Sequence, residues 1–549
     1  MSTSTGQITV ADIARIAEVR TAAVSNWRRR HQETFPSPER HRNSELYTVT
    51  EVAAWLDDRK ISADDLKDGE PPGTTYGMRF RKNLRIAEIL PRSITDILRQ
   101  HLDKLRGYTD PTAYADLILG LLYLRQKYPA RWEKLTASAV SKLRESAEDA
   151  ITADKPMLTY LGHAISAILS ETGGQGRLAD IIRFLDSVLP PGDQGGASSE
   201  SAWAGEVFEQ LLELFANTQG KRAVVYTPRS VVRVLVELVS PQPGESVLDP
   251  CCESGGFLID AARCVGERGG DRGSVSLVGQ APQERSWSLA TMNLALHGLS
   301  ADLTAQPGLG SAQDMYHRQF DVILANPPFN RDWAPSDAGD PRWRYGIPPE
   351  SNANFAWLQH VVWSLSDRGR AAVIMPSGAS STGHEHKIRA AMTEDGVIEA
   401  VIALPPHLFA STAVAVNVWL LRRRDRGAAD EILFIDARAL GRMVSRSQRE
   451  LSSEDIVRIV TKMQVWLRRT EGRGFENEPG FAASVPISTI RDNDYVLLPG
   501  RYVGVADHTP VGLAQVDELR RRLDRLHARS AEADAAVDRQ LDRLGLCTH

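Results

Sequence analysis

From about Tyr226 onward, short apolar runs of strand length alternate with longer stretches whose apolar positions recur at helical spacing. SVLDP (246–250), SVSLVGQ (274–280), FDVILANPP (320–328), RAAVIMP (370–376), VIEAVIALP (397–405) and AVNVWLLRR (415–423) read as strands. SGGFLIDAARCV (254–265), RSWSLATMNLALHG (285–298) and NFAWLQHVVWSL (354–365) read as helices between them. Such alternation predicts an α/β fold built on a doubly wound, Rossmann-like sheet. Upstream, residues 79–217 carry only the helical period, as in LRIAEILPRSITDILRQHLDKL and AYADLILGLLYLRQKY, and predict a helical domain.

The first 62 residues show a different rhythm. VADIARIA (10–17) and AAVSNWRRR (22–30) predict two short helices joined by a tight turn. A polar, proline-bearing stretch (33–44) follows, then a third helix in TVTEVAAWLDDRK, starting near Thr48 or Thr50. That layout predicts a winged helix-turn-helix resembling the MerR/excisionase-like DNA-binding modules. Its second helix bears Ser25, Asn26, Arg28, Arg29 and Arg30, the expected DNA-contacting residues. The full expected organisation is a winged helix-turn-helix at 1–62, a linker at 63–78, the helical domain at 79–217 and a catalytic α/β domain at 218–430. An α/β extension at 431–510 and a coiled-coil helix at 511–549 complete it. In the last segment Leu519, Leu523 and Leu526 recur at 3/4 spacing, enough to pair with a partner subunit or a second copy.

Composition narrows the class. Hydrophobic content of 42% and charged content of 25% in 549 residues suit several packed domains. The cysteines are Cys251, Cys252, Cys264 and Cys547, with no CxxC spacing, so neither a disulfide scaffold nor a zinc site is expected. No cationic start precedes an apolar segment at the N-terminus, and no apolar run reaches membrane-spanning length, so a cytoplasmic protein without a leader is expected. A net charge of −5 means that any nucleic-acid surface must be local.

The chemistry concentrates at Asn326-Pro327-Pro328-Phe329, where the strand FDVILA ends. Ligands of doubly wound sheets bind at the C-terminal strand edges. The prolines fix φ and bring no N–H donors. The Asn326 amide oxygen and the Pro327 carbonyl can therefore accept both protons of an exocyclic amine, and Phe329 can stack on a base. That arrangement suits methyl transfer to adenine N6, with the base flipped from the duplex. Earlier, strand 246–250 runs into a Gly-bearing turn and a helix N-terminus, a place that favours a carboxylate.

With YTPRSVVRVL, LDPCCESGGFL, GQAPQERSWSLATMNLALHG, FDVILANPPFNRDW, DPRWRYGIPPESNANFAWLQH and VIALPPHLFASTAV in this order, the chain resembles the modification subunits of type I restriction-modification systems, in the N6-adenine DNA methylase family. The resemblance implies S-adenosylmethionine as cofactor, double-stranded DNA as substrate and a separate specificity subunit as partner. It implies that Tyr226, Thr227, Pro228, Arg229, Asp249, Ser254, Gly255 and Gly256 line the cofactor, and that Asn326, Pro327, Pro328 and Phe329 hold the adenine. No metal is implied. Two positions depart from the family pattern: Glu253 stands where the turn usually has glycine, and Ala281 where an acid usually holds the ribose. A carboxylate facing the methionine carboxylate, and a lost ribose acceptor, predict weakened cofactor binding. The alternative they leave open is a methylase fold retained as a DNA-binding regulator or scaffold.

Overall fold

The computed structural model describes residues 7–10, 13–14, 17, 19, 21–31, 34–41, 44–57, 59–61, 74–80, 111–188, 199–219, 226–305, 309, 318–333, 339–409, 414–423, 430–445, 448–471, 474–505 and 520. Contacts divide the chain into two compact units, Met1–Phe215 and Ala216–His549.

In the first unit, β1 (Gln7–Ile8), β2 (Glu39–His41) and β3 (Ser44–Thr48) form a small antiparallel sheet in the order β1-β3-β2. Helices Thr21–Arg30 and Val49–Asp57 flank it. Ile13, Val24, Phe35, Tyr47, Val52 and Leu56 form the core. The stretch 33–44, expected as a loop, thus supplies a strand of the hairpin that makes the wing. Glu39 pairs with Leu46 and His41 with Ser44, a tight turn that the polar residues there accommodate. The segment assigned to a linker ends inside this module, because Phe80 is buried in its core and Tyr76 packs edge-on against Trp27. Further along, helices Pro111–Lys127, Pro129–Ala137, Leu143–Ile151, Lys155–Leu169 and Gly174–Val188 bury their apolar stripes on one another. Gly120 lets the first and fourth of these approach closely, since a Cβ there would lie 2.7 Å from Leu161 Cβ. The expected C-terminal coiled-coil helix lies outside the described residues, Arg520 excepted.

The second unit is organised by one nine-stranded sheet, in the order β14-β11-β9-β10-β8-β7-β4-β5-β6. Its strands are β4 (Ser246–Asp249), β5 (Ser276–Ala281), β6 (Asp302–Ala305), β7 (Phe320–Ala325), β8 (Leu365–Pro376), β9 (Ile398–Ala403), β10 (Val416–Arg422), β11 (Glu431–Asp436) and β14 (Ala482–Pro486). A short separate ribbon, β12 (Arg442–Met443) with β13 (Arg449–Glu450), lies between the last two. Strands β4 to β8 run parallel, and β10 is antiparallel to both its neighbours. The stretch read as an extension, 431–510, continues this sheet, because β11 pairs in parallel with β9.

Alternate residues of each strand feed opposite faces, as the twofold pleat requires. Val247, Val322, Leu324 and Ile374 pack under helices Arg229–Val239, Gly256–Glu267 and Ser453–Leu467. Leu248, Ile323, Ala325 and Val373 pack under Asn354–Ser364 and His386–Glu394. With both faces covered, the strands are apolar throughout. The chain runs outward from β4 through β5 to β6, then returns to place β7 on the other side of β4. That reversal is the topological switch point where doubly wound sheets bind ligands.

Candidate active site

The turn after β4 is held in place from three sides. Asp249 Oδ1 accepts from the Cys251 N–H at 3.0 Å. Cys252 N–H donates to the Gln280 carbonyl at the end of β5, 2.9 Å away. Asn293, on helix Glu284–Leu296, donates its Nδ2 to the buried Ser254 carbonyl at 2.9 Å. Gly255 then takes a φ of +79°, which an L side chain rarely adopts, and caps helix Gly256–Glu267. The first N–H groups of that helix have no partners within it, so the turn delivers donors and a positive dipole end to the sheet edge.

Two carboxylates border this turn. Burial pushes the Asp249 carboxyl up to about 8, opposed by the Cys251 hydrogen bond and reinforced by the charge of Glu253. Glu253 is also raised, by burial, while its hydrogen bond to Ser286 and the charge of Arg285 oppose the rise. Its Oε2 accepts from Ser286 Oγ at 2.7 Å. One oxygen of the Glu253 carboxylate is thereby engaged by a hydroxyl on the helix that follows β5. A buried acid pair beside a helix N-terminus fits a zwitterionic, donor-rich ligand such as S-adenosylmethionine.

The Asp249 shift has a testable consequence. The folded state holds this proton up to about pH 8, while the unfolded chain loses it near the ordinary carboxyl range. Between those values the unfolded state binds fewer protons, so stability falls as pH rises. Asn at this position can still accept the Cys251 bond. Asp249→Asn should therefore gain stability over the parent progressively between pH 5 and pH 8 on that scale, read by denaturant titration at each pH.

On the other side of the switch point, β4 and β7 pair in register, Val247 with Val322 and Leu248 with Ile323, so their C-terminal ends leave the sheet together. Asn326 follows β7 directly and is 8% exposed. Its Nδ2 donates to Thr227 Oγ1 at 2.9 Å, across 99 residues of sequence. That bond engages one N–H of the amide and turns Oδ1 the other way, as an acceptor. Pro327 is buried, Pro328 is exposed, and Phe329 is half-buried against the sheet core. Thr227 and Pro228 lead into helix Arg229–Val239, whose first bonds are accepted by the Pro228 carbonyl. Tyr226 and Arg229 are partly buried on the same segment. The structure thus brings the YTPR segment to the Asn326–Phe329 tetrapeptide.

Sequence reasoning missed the clamps around this site. Asn330, at a φ of +50°, exchanges two hydrogen bonds with Asn354: its N–H donates to Asn354 Oδ1 at 3.1 Å and its Oδ1 accepts from Asn354 Nδ2 at 2.9 Å. Trp333 donates through its backbone N–H to the Glu350 carbonyl and through Nε1 to the Pro349 carbonyl, each at 2.9 Å. The repeated asparagines of NPPFN and NANF were the available signal. Elsewhere in this unit Glu385 is buried and accepts from the Thr382 hydroxyl, and His386 meets Asp494.

In the first unit, the five residues singled out on helix Thr21–Arg30 separate into two sets. Arg28 forms a two-pronged ion pair with Glu45 of β3, so it braces the helix against the wing. Ser25, Asn26, Arg29 and Arg30 are exposed, with Arg29 donating to Asn26 Oδ1 at 2.7 Å.

Residues 200–509 match the family model described as N-6 DNA Methylase. The HindI methylase subunit of a type I restriction enzyme from Haemophilus influenzae is 35% identical over 421 residues, covering 74% of this chain and 93% of that protein. The MjaIX methylase subunit from Methanocaldococcus jannaschii is 35% identical over 318 residues, 55% of each chain. Among solved structures, a type I restriction-modification methyltransferase subunit from Streptococcus thermophilus superposes with a TM-score of 0.59 at 21% identity, over 75% of this chain and 99% of that one. The fold is the doubly wound α/β methyltransferase fold. The chain belongs to the N-6 DNA methylase family, and it is an adenine-specific DNA methyltransferase of the type I modification kind.

Proposed function

We infer that the chain methylates adenine N6 in double-stranded DNA with S-adenosylmethionine as donor, as the modification subunit of a restriction-modification assembly. One observation carries the reading: Asn326 stands at the switch point with its amide turned by Thr227 so that the oxygen serves as acceptor. An adenine amine bonded to Asn326 Oδ1 and the Pro327 carbonyl would have both protons engaged and its nitrogen lone pair perpendicular to them. When bound, the cofactor supplies an electrophilic methyl group. The residues that fit it are Asp249, Ser254, Gly255 and Gly256 at the β4 turn, with Tyr226, Thr227, Pro228 and Arg229 beside the tetrapeptide. Phe329, half-buried, offers an aromatic surface to an extruded base.

Support for the partners is of two kinds. The matched relatives carry the names of type I methylase subunits, and one solved neighbour, at a TM-score of 0.57, is described in terms of complex assembly of the type I restriction-modification system. A separate specificity subunit would supply target recognition. Among the described residues no helix is long and apolar enough to cross a membrane. The test is direct: the purified chain, alone and together with a specificity subunit of a type I system, is incubated with unmethylated genomic DNA and S-adenosylmethionine. N6-methyladenine is the expected product, and its absence in both reactions would overturn the reading.

The winged module supports DNA contact through Arg29 and Arg30, the exposed members of its basic run. Replacing both with alanine should lower the slope of log affinity against log salt by up to about two phosphate contacts on duplex DNA. An unchanged slope would remove this helix from the DNA interface. Arg28→Ala should act differently, loosening the wing by freeing Glu45.

A further inference from the structure

Doubly wound sheets that bind nucleoside cofactors commonly place an acid at the end of the second strand, where it accepts the ribose hydroxyls. Here that strand is β5, and its last residue is Ala281, fully buried and without an acceptor. The turn after β4, which bonds through its backbone to the end of this strand, carries a carboxylate, Glu253. The bridge from Cys252 N–H to the Gln280 carbonyl sets Glu253 and Ala281 each one residue from the same hydrogen bond. Ala281 also shares the pleat face of Leu277, which packs in the layer beneath helix Gly256–Glu267. Glu253 reaches Ser286, the third residue of the helix that follows β5. One carboxylate oxygen takes the Ser286 hydroxyl; a carboxylate retains further acceptor sites on its second oxygen.

We propose that Glu253 is the ribose-holding acid of this methyltransferase, supplied from the turn after β4 in place of the acid missing at Ala281. The two departures in the sequence are then one exchange: the acceptor has moved from the end of one strand to the turn of its neighbour, and Ser286 fixes its direction. The assignment rests on the S-adenosylmethionine reading above.

The experiment measures binding without turnover. S-adenosylhomocysteine and its analogue lacking both ribose hydroxyls are titrated calorimetrically into the full chain and into Glu253→Gln and Glu253→Ala, with ligand-free melting temperatures as the control for folding. Loss of charged hydrogen bonds should weaken S-adenosylhomocysteine binding by about 10- to 100-fold in both variants. The dideoxy analogue should bind parent and variants alike, within roughly twofold, because the partner of Glu253 is already gone from the ligand. Variants that bind S-adenosylhomocysteine as well as the parent, or more tightly, overturn the assignment and leave the methyltransferase reading standing. Equal losses for both ligands also overturn it, since they mark a structural role for Glu253. If the parent binds neither ligand, the methyltransferase reading falls and the assignment with it.

Discussion

Asn326→Ala should lower methyl transfer by about 100- to 1000-fold or more, the usual effect of removing a group positioned for the reacting centre. S-adenosylhomocysteine should still bind within a few-fold of the parent, because the alanine deletes a contact to the amine and none to the cofactor turn. Thr227→Val is the more discriminating variant. It removes the acceptor for Asn326 Nδ2 while keeping the volume, so the amide oxygen is no longer directed. A fall of about tenfold is expected, smaller than for Asn326→Ala because the acceptor is still present but less often aligned. Radiolabelled methyl transfer to duplex DNA and calorimetry on the same preparations separate the two terms. Full activity in Asn326→Ala would remove this residue from the chemistry.

Asp340→Ala should destabilise the catalytic unit by about 3–5 kcal/mol, the range for stripping the partner from a buried charge. Arg342 is 1% exposed and binds mainly to Asp340: Nη2 donates to Oδ2 at 2.6 Å, Nε to both oxygens, and the backbone N–H to Oδ1 at 2.9 Å, while Nη1 donates to the Leu309 carbonyl at 3.3 Å. Trp343, beside the pair, packs edge-on against Trp333, with ring centres 5.0 Å apart. His360 cannot relieve the unpaired cation. Burial, with the charge of Arg342, pushes its imidazole down to about 3, so it stays neutral at working pH. The loss should accordingly be the same from pH 6 to pH 8. A melting temperature lower by about 5–15 °C is the readout. Replacing both partners, Asp340→Ala with Arg342→Met, should recover much of the loss, since no buried charge is then left alone. A double variant as unstable as Asp340→Ala would mean that packing, and not charge, holds this loop. The loop joins the Asn326 tetrapeptide to helix Asn354–Ser364, so its loosening should also lower activity at temperatures below the melting transition.

Much of the fold was legible in the linear pattern. The strands at β4, β5, β7, β9 and β10 and the helices between them stand where apolar runs and 3.6-residue periods put them, because a strand covered on both faces must be apolar at nearly every position. A wing was expected from the layout, but its first strand was not legible. Its strand Glu39–His41 is polar and edge-placed, so neither alternation nor burial marks it. Nor was the fate of 431–510: Glu431–Asp436 reads as a strand, but which strand it joins depends on β9, about thirty residues earlier in the chain.

The site divides along the same line. The sequence by itself determined the chemistry on offer. An asparagine followed by two prolines at a strand end can present acceptors and no backbone donors whatever surrounds it, and a Gly-bearing turn before a helix can receive an anion, since both properties are local. Only the tertiary structure decided how those groups are aimed. The Asn326 oxygen is selected by a threonine 99 residues away, and the Glu253 carboxylate is drawn to Ser286, 33 residues on. Arg28, read as a DNA contact, is taken by Glu45 of the wing. Each outcome depends on which donor or acceptor the fold brings within about 3 Å, the reach of a hydrogen bond, and chain separation carries no information about that distance.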